Sequence, residues 1–233
     1  MDIRVFLSRL DDCIHTYDLL CHPFYKAWAA SELTREDLRE YAEHYYPHVA
    51  AFPSYLAELG IRLEDGELRR AVLANMADEQ GREDIFGDPQ ASHAELWLDF
   101  SEGMGGSRLR RRRAVPEVQA LIAAFHRVAS EGAPEEALAA FYAYESQVPR
   151  IAREKDRGLR ERYGANEKTR AYFTLHAEAD VYHSQVWRKQ LEKRVAANPQ
   201  IAKKALAAAE DAARTLWTAL DGIEAKRQAR VAV

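Results

Sequence analysis

His176, Asp180 and His183 stand in the run Tyr-Phe-Thr-Leu-His-Ala-Glu-Ala-Asp-Val-Tyr-His at 172–183. At about 100° per residue in an α-helix, their side chains fall within roughly 60° of one another. Three potential metal ligands therefore share one stripe. Tyr172, one turn earlier, lies on nearly the same stripe and would set an oxidisable phenol beside whatever the ligands hold. Histidines on helical faces also serve as surface or core residues with ordinary hydrogen bonds, so the stripe alone leaves both readings open.

A carboxylate-bridged metal pair in a helical bundle needs acids and histidines from several helices, because each helix presents only one stripe. Further donors are present: Glu79 near the end of a third helix, His93 at the start of the next, and Glu145 in the aromatic run Phe-Tyr-Ala-Tyr-Glu. Taken singly, Glu79 and Glu145 read as solvated acids. The chain has 11 tyrosines, more than a core requires, and a phenol is a costly core filler unless its hydroxyl finds a partner. Tyr25, Tyr41, Tyr45, Tyr46, Tyr144 and Tyr172 lie close to these donors or in the early helices. Each one alone is a packing residue with a hydrogen-bonded tip. By residue type, Lys155 is an exposed lysine in a charged helix, and Tyr25 packs behind Pro23 and Trp28. His44 and His48, one turn apart, form a weaker pair. Arg108 and Arg110 to Arg113 read as a solvated loop or as a seat for an anionic partner.

The apolar spacing is helical almost throughout, without alternating β-branched runs, and predicts an all-α protein. A first helix is expected to run to about Leu20, broken by His22-Pro23, followed by a short segment from Phe24 to Ala30. Thr34 with Asp37 opens a helix bearing Tyr41, Tyr45, Val49 and Phe52, which Pro47 and Pro53 should kink or end. Glu67 to Gln80 reads as a helix with Gly81 as its stop, residues 82–91 as a loop, and Ser92 with Glu95 as a capping box for a helix to about Met104. Pro116 and Pro134 suit first helical positions, and Pro149 should kink the second of these helices on its way to Tyr163. Asn166 caps the helix holding the ligand stripe, Pro199 ends it, and a last helix covers roughly Ile201 to Lys226.

No repeat and no long linker divides the 233 residues, so one domain over 1–233 is expected. With 47% hydrophobic and 30% charged residues and a net charge of -4, nothing points to nucleic acid or an anionic membrane as partner. Cys13 and Cys21 have no activating neighbour and read as reduced thiols, and the acids of the N-terminal MDIRVFLSRLDD break the apolar core that a signal peptide would need. The expected location is the cytoplasm.

The motifs HPFYKAW at 22–28, YAEHYYPHVAAFP at 41–53, DEQG at 78–81, HAELW at 93–97, YES at 144–146 and HAEADVYH at 176–183 together resemble a known family. It is the haem-oxygenase-like di-metal oxidases, and within them the CADD-like proteins, a group named for a chlamydial protein associating with death domains. The HPFY-x-x-W element is shared with the related TenA and pyrroloquinoline-quinone synthase (PqqC) families. The resemblance covers about residues 12 to 195, although the stretch between Glu79 and His93 is longer here than in the chlamydial pattern. It implies a single haem-oxygenase-like helical bundle in which Glu79, His93, Glu145, His176, Asp180 and His183 bind two metal ions, Fe/Fe or Fe/Mn. It further implies a single-turnover oxygenase using O2 and an external reductant to make para-aminobenzoate for folate biosynthesis. In that reaction Tyr25 matches the sacrificed tyrosine and Lys155 the amino donor, while Tyr41, Tyr144 and Tyr172 match tyrosines lining the site. A homodimer is compatible with this reading. Two alternatives use the same residues differently: a di-iron oxidase acting on an external small molecule, by amine N-oxygenation or carbon–carbon cleavage, and a protein-binding module with a vestigial metal site.

Overall fold

A computed structural model describes residues 1–81, 90–108 and 113–231. Among these residues every regular element is a helix, as the apolar spacing predicts. Helix α1 (Ile3–His15) is capped by Asp2, whose carboxylate accepts from the backbone N–H groups of Arg4 and Val5. It stops at His15 instead of reaching Leu20, because the Asp18 side chain accepts from Leu20 N–H and starts a separate 3-10 turn, Leu19–Cys21. His22 then caps α2 (Pro23–Ala29) through Nδ1, which accepts from Phe24 N–H, and Pro23 occupies the first helical position. This cap turns Tyr25 and Trp28 into the core.

Helix α3 (Arg35–Gly60) opens with the Thr34/Asp37 capping box and runs unbroken through Pro47 and Pro53, neither of which ends it. Its inward residues, including Leu38, Tyr41, Tyr45, Val49, Phe52 and Leu56, are buried against α4 (Glu67–Gln80), α5 (His93–Gly103) and α6 (Pro116–Ser130). That burial outweighs the backbone hydrogen bond each proline removes. Gly81, at φ 76°, ends α4 where a side chain would be strained, and the Ser92/Glu95 box opens α5 as predicted. Helix α7 (Pro134–Glu145) does not kink at Pro149; it ends at Glu145, and α8 (Val148–Arg162) begins afresh with Pro149 in its first turn. Asn166 caps α9 (Glu167–Ala197), and α10 (Ala202–Val231) runs a turn further than expected.

Helix α9 packs against α5, α7 and α8, while α10 covers α6 and α7, around one continuous apolar core. Cys13 and Cys21 are free thiols. No helix among the described residues is long and apolar enough to cross a membrane. Most of the loop expected at 82–91 and residues Arg110 to Arg112 lie outside the described residues.

Helices α2 and α8 approach closely where Gly158 faces Trp28: a Cβ there would lie 2.7 Å from the indole nitrogen. Trp28 is itself wedged among Tyr41, Phe100, Tyr163 and Phe173 and cannot retreat. Gly158→Ala gains helix propensity of roughly 0.5–1 kcal/mol but overpacks a rigid ring at about 1–3 kcal/mol. A net loss of about 1–2 kcal/mol is expected in equilibrium denaturation, with perturbed fluorescence from Trp28.

Candidate metal centre and tyrosine pocket

Four helices deliver the six candidate ligands to one interior region. Glu79 comes from the last turn of α4, His93 from the first turn of α5, Glu145 from the end of α7, and His176, Asp180 and His183 from the α9 stripe. All six are buried. They form two triads, Glu79–His93–His176 and Glu145–Asp180–His183, and within each triad one donor atom per residue lies within 4.8 Å of the others. Glu79 and Glu145 are therefore not solvated acids, which is how they read one at a time.

The atoms within each triad point as ligands would. His93 Nδ1 lies 2.8 Å from Glu79 Oε2. Two donor atoms this close could also share a cation between them. The His176 Nδ1–H donates to the Tyr172 carbonyl at 2.7 Å, which leaves Nε2 with its lone pair facing the site. Three carboxylates and three imidazoles are an O/N donor set suited to iron or manganese.

Electrostatics makes the same demand. Burial and the charge of Asp180 push the Glu145 carboxyl up to about 8. Burial works against protonation of His183, but its hydrogen bond to Asp180 and the charges of Glu145, Asp180 and Glu79 outweigh that and lift it to about 9. Burial likewise opposes charge on His93, and Glu79 raises it nonetheless. Without a cation the cluster holds protons in its place.

Two residues that sequence reasoning missed grip Glu145. Asn75 Nδ2 donates to Oε1 at 3.0 Å, and Trp187 Nε1–H donates to Oε2. Both could have been found from helical spacing, since Asn75 lies one turn before Glu79 and Trp187 one turn after His183. His48, by contrast, is enclosed by Tyr45, Phe52, Tyr55, Phe125 and Tyr144 and belongs to neither triad.

The second part of the site lies under α2 and α8. Lys155 is buried, not exposed, because its α8 face turns inward against α2. Its Nζ sits 2.8 Å from Tyr25 Oη and 2.5 Å from Tyr41 Oη, and the two hydroxyls are 3.0 Å apart. Among the described residues no carboxylate pairs with it, and burial alone holds the ammonium pKa well below its ordinary value. Burial raises the Tyr25 and Tyr41 phenols. Both shifts favour the uncharged amine and the protonated phenol, and Nζ lies 4.2 Å from the centre of the Tyr25 ring.

Tyrosines join this pocket to the metal ligands. The Tyr41 ring stacks on Tyr45 at 5.6 Å, Tyr45 hydrogen-bonds Tyr144, Tyr144 hydrogen-bonds Tyr172, and Tyr172 stacks on the His176 imidazole at 3.9 Å. All the tyrosines singled out in the sequence thus fall within this network except Tyr46, which is only partly buried at the edge of the core.

The chain is similar to known proteins over most of its length. A family model described as an iron-containing redox enzyme matches residues 39–217. The 4-aminobenzoate synthase of Chlamydia trachomatis is 38% identical over 219 residues, spanning 93% of this chain and 90% of the relative. The 4-aminobenzoate synthase of Nitrosomonas europaea is 36% identical, spanning 96% of this chain and 92% of the relative. A solved structure from Shewanella denitrificans, described as a domain of unknown function with a haem-oxygenase-like fold, superposes with a TM-score of 0.79 at 16% identity, covering 98% of this chain and 94% of that one.

Two outcomes are expected. Asn75→Ala should weaken metal loading about 10–100-fold while the helical fold persists, as measured by metal titration with circular dichroism. In metal-free protein, Glu145 and His183 both hold protons more tightly folded than unfolded, with Glu145 moving from 4.5 to about 8 and His183 from 6.5 to about 9. The stability this protonation confers is present at low pH and is lost as pH rises through those folded values. The melting temperature of metal-free protein should therefore fall as pH rises from 4.5 to about 9, and bound metal should remove or reverse the trend because ligation requires the deprotonated forms.

Proposed function

We propose that this chain, which belongs to the haem-oxygenase-like family of iron-containing redox enzymes, makes 4-aminobenzoate from its own Tyr25, taking nitrogen from Lys155. The observation that carries this reading is the contact between Lys155 Nζ and Tyr25 Oη, 2.8 Å apart in the buried interior. An amine placed directly against a phenol leaves no room between them for an external reactant. Lysine without a counter-charge in an apolar pocket serves no stabilising purpose, because taking an ammonium out of water costs several kcal/mol. It does provide an uncharged amine whose lone pair is free to form a bond. The names and extents of the relatives in Chlamydia trachomatis and Nitrosomonas europaea support the product.

The tyrosine side chain beyond Cα already has the carbon skeleton of 4-aminobenzoate. Breaking the Cα–Cβ bond and oxidising Cβ to a carboxyl yields the acid, and exchanging the phenolic oxygen for nitrogen yields the amine. Lys155 is the amine within reach. Glu79, His93 and His176 would hold one metal ion and Glu145, Asp180 and His183 the other, each iron or manganese. When bound and reduced, these metals supply the activation of dioxygen that such an oxidation needs, with an external reductant. Tyr41 orients both reacting groups, since its hydroxyl meets Tyr25 Oη and Lys155 Nζ together. Phe24, Trp28, Phe100 and Phe173 close the pocket against water, which would otherwise hydrate the amine and quench oxidised intermediates. Because the product is cut from the chain, each molecule reacts once.

The test is a single reaction of iron(II)-loaded protein with reductant and air, followed by mass spectrometry of the peptide containing Tyr25. Loss of the ring-bearing side chain together with released 4-aminobenzoate is expected, at no more than one product per chain. Tyr25→Phe, Lys155→Arg and Glu145→Ala should each fail to rescue a bacterium that cannot make 4-aminobenzoate. Product released from protein whose Tyr25 remains intact, or sustained turnover of an added substrate, refutes the reading.

A further inference from the structure

Trp97 is the W of the HAELW motif, and neither the ligand set nor the reacting pair accounts for it. It is 1% exposed, and its indole N–H donates to the Ala42 carbonyl of α3 at 2.9 Å. Its ring meets Tyr172 edge to face at 4.7 Å and Tyr41 at 5.6 Å. Tyr172 is the ring stacked on His176, and Tyr41 is the phenol bonded to Tyr25. A single oxidisable side chain thus bridges the two halves of the site. The hydrogen-bonded route through Tyr144 and Tyr45 joins the same ends with one more ring.

We propose that Trp97 is the relay through which an electron leaves the Tyr25–Tyr41 pair for the metal centre, an inference that rests on the function proposed above. In this step the Tyr25 O–H bond breaks. Its proton passes to the lone pair of Lys155 Nζ, 2.8 Å away, and makes an ammonium. Its electron would pass through Tyr41, Trp97 and Tyr172, each oxidised and reduced again in turn, towards the metal ions that the six ligands would hold, where dioxygen would be the terminal acceptor and would be reduced by one electron. Trp97 is oxidised and then reduced again, and ends unchanged.

Two physical features favour the indole over the longer tyrosine route. A phenol in an apolar interior must give up its proton when it is oxidised. Tyr45 and Tyr144 hydrogen-bond other phenols, which are poor bases, so each transfer there needs coupled proton movement. The indole can lose an electron while its N–H stays bonded to the Ala42 carbonyl, so only the electron moves. The resulting positive charge is spread over a large ring flanked by Tyr41, Tyr45 and Tyr172, whose electron-rich rings attract a cation.

The experiment uses full-length protein loaded with iron(II), comparing wild type, Trp97→Phe, and protein with a ring-fluorinated tryptophan incorporated at position 97 alone. The fluorinated ring keeps the shape and the Ala42 hydrogen bond but is harder to oxidise, so it serves where Trp97→Phe disturbs packing. Iron content and oxidation of the metal centre by O2 are read by absorbance, Tyr25 loss by mass spectrometry, and radicals by freeze-quenched electron paramagnetic resonance. In both altered proteins, metal content and metal oxidation should match wild type while Tyr25 loss slows by about tenfold or more. Ring-deuterated tryptophan should change the hyperfine structure of the radical trapped in wild type. Tyr25 loss at the wild-type rate in the fluorinated protein overturns the relay alone. An intact Tyr25 in wild type after reaction overturns the relay together with the proposed function.

Discussion

Removal of ionisable groups from water is the constraint on which the rest of this structure depends. A buried charge is tolerated only if it is paired, hydrogen-bonded, neutralised or bound to a metal. The two halves of the site answer it in opposite ways. Around α9, three carboxylates and three imidazoles crowd together, and burial with neighbouring charge makes Glu145 and His183 hold their protons more tightly. Under α2 and α8, Lys155 meets no carboxylate among the described residues, and burial between two phenols favours its uncharged form. The same aromatic packing that withholds water produces both outcomes.

That packing also keeps the halves apart yet in contact. A series of rings joins the candidate ligands to the Lys155–Tyr25 pair, beginning with Tyr172 on His176 and passing through Trp97 to Tyr41. The helices are arranged to permit this. Helix α9 carries ligands along one stripe and Tyr172 one turn before them, α3 supplies Tyr41 and Tyr45, and α5 supplies both His93 and Trp97 from a single turn. The capping box at Ser92 sets where α5 begins and hence where both of those side chains point.

Much of the local structure was legible in the sequence because its signals are local. The Thr34/Asp37 and Ser92/Glu95 boxes, the Gly81 stop, the Asn166 cap and the helical prolines at 116 and 134 appear where the residue types place them. Expectations failed where a distant contact outweighed a local preference. Pro47 and Pro53 do not end α3 because its buried face holds the helix through them, and α1 ends early because Asp18 offers the backbone a competing turn. Asn75 and Trp187 went unnoticed because an amide and an indole signal nothing until the carboxylate they hold is in place.

By itself the sequence determined that His176, Asp180 and His183 share one stripe, since the periodicity of one helix is enough to align them, and its motifs carried the resemblance that named Tyr25 and Lys155. It could not determine their chemical state. Residues 130 positions apart meet only when α8 packs on α2, and a lysine in a charged segment is an ordinary solvated cation until that packing strips its water. Tertiary structure alone decided that Lys155 is buried against two phenols, that Glu79 and Glu145 are companions of the histidines and not surface acids, and that Trp97 stands between Tyr172 and Tyr41. The physical reason is the same in each case: protonation, ligation and electron transfer depend on distance and dielectric, and the packing of helices sets both.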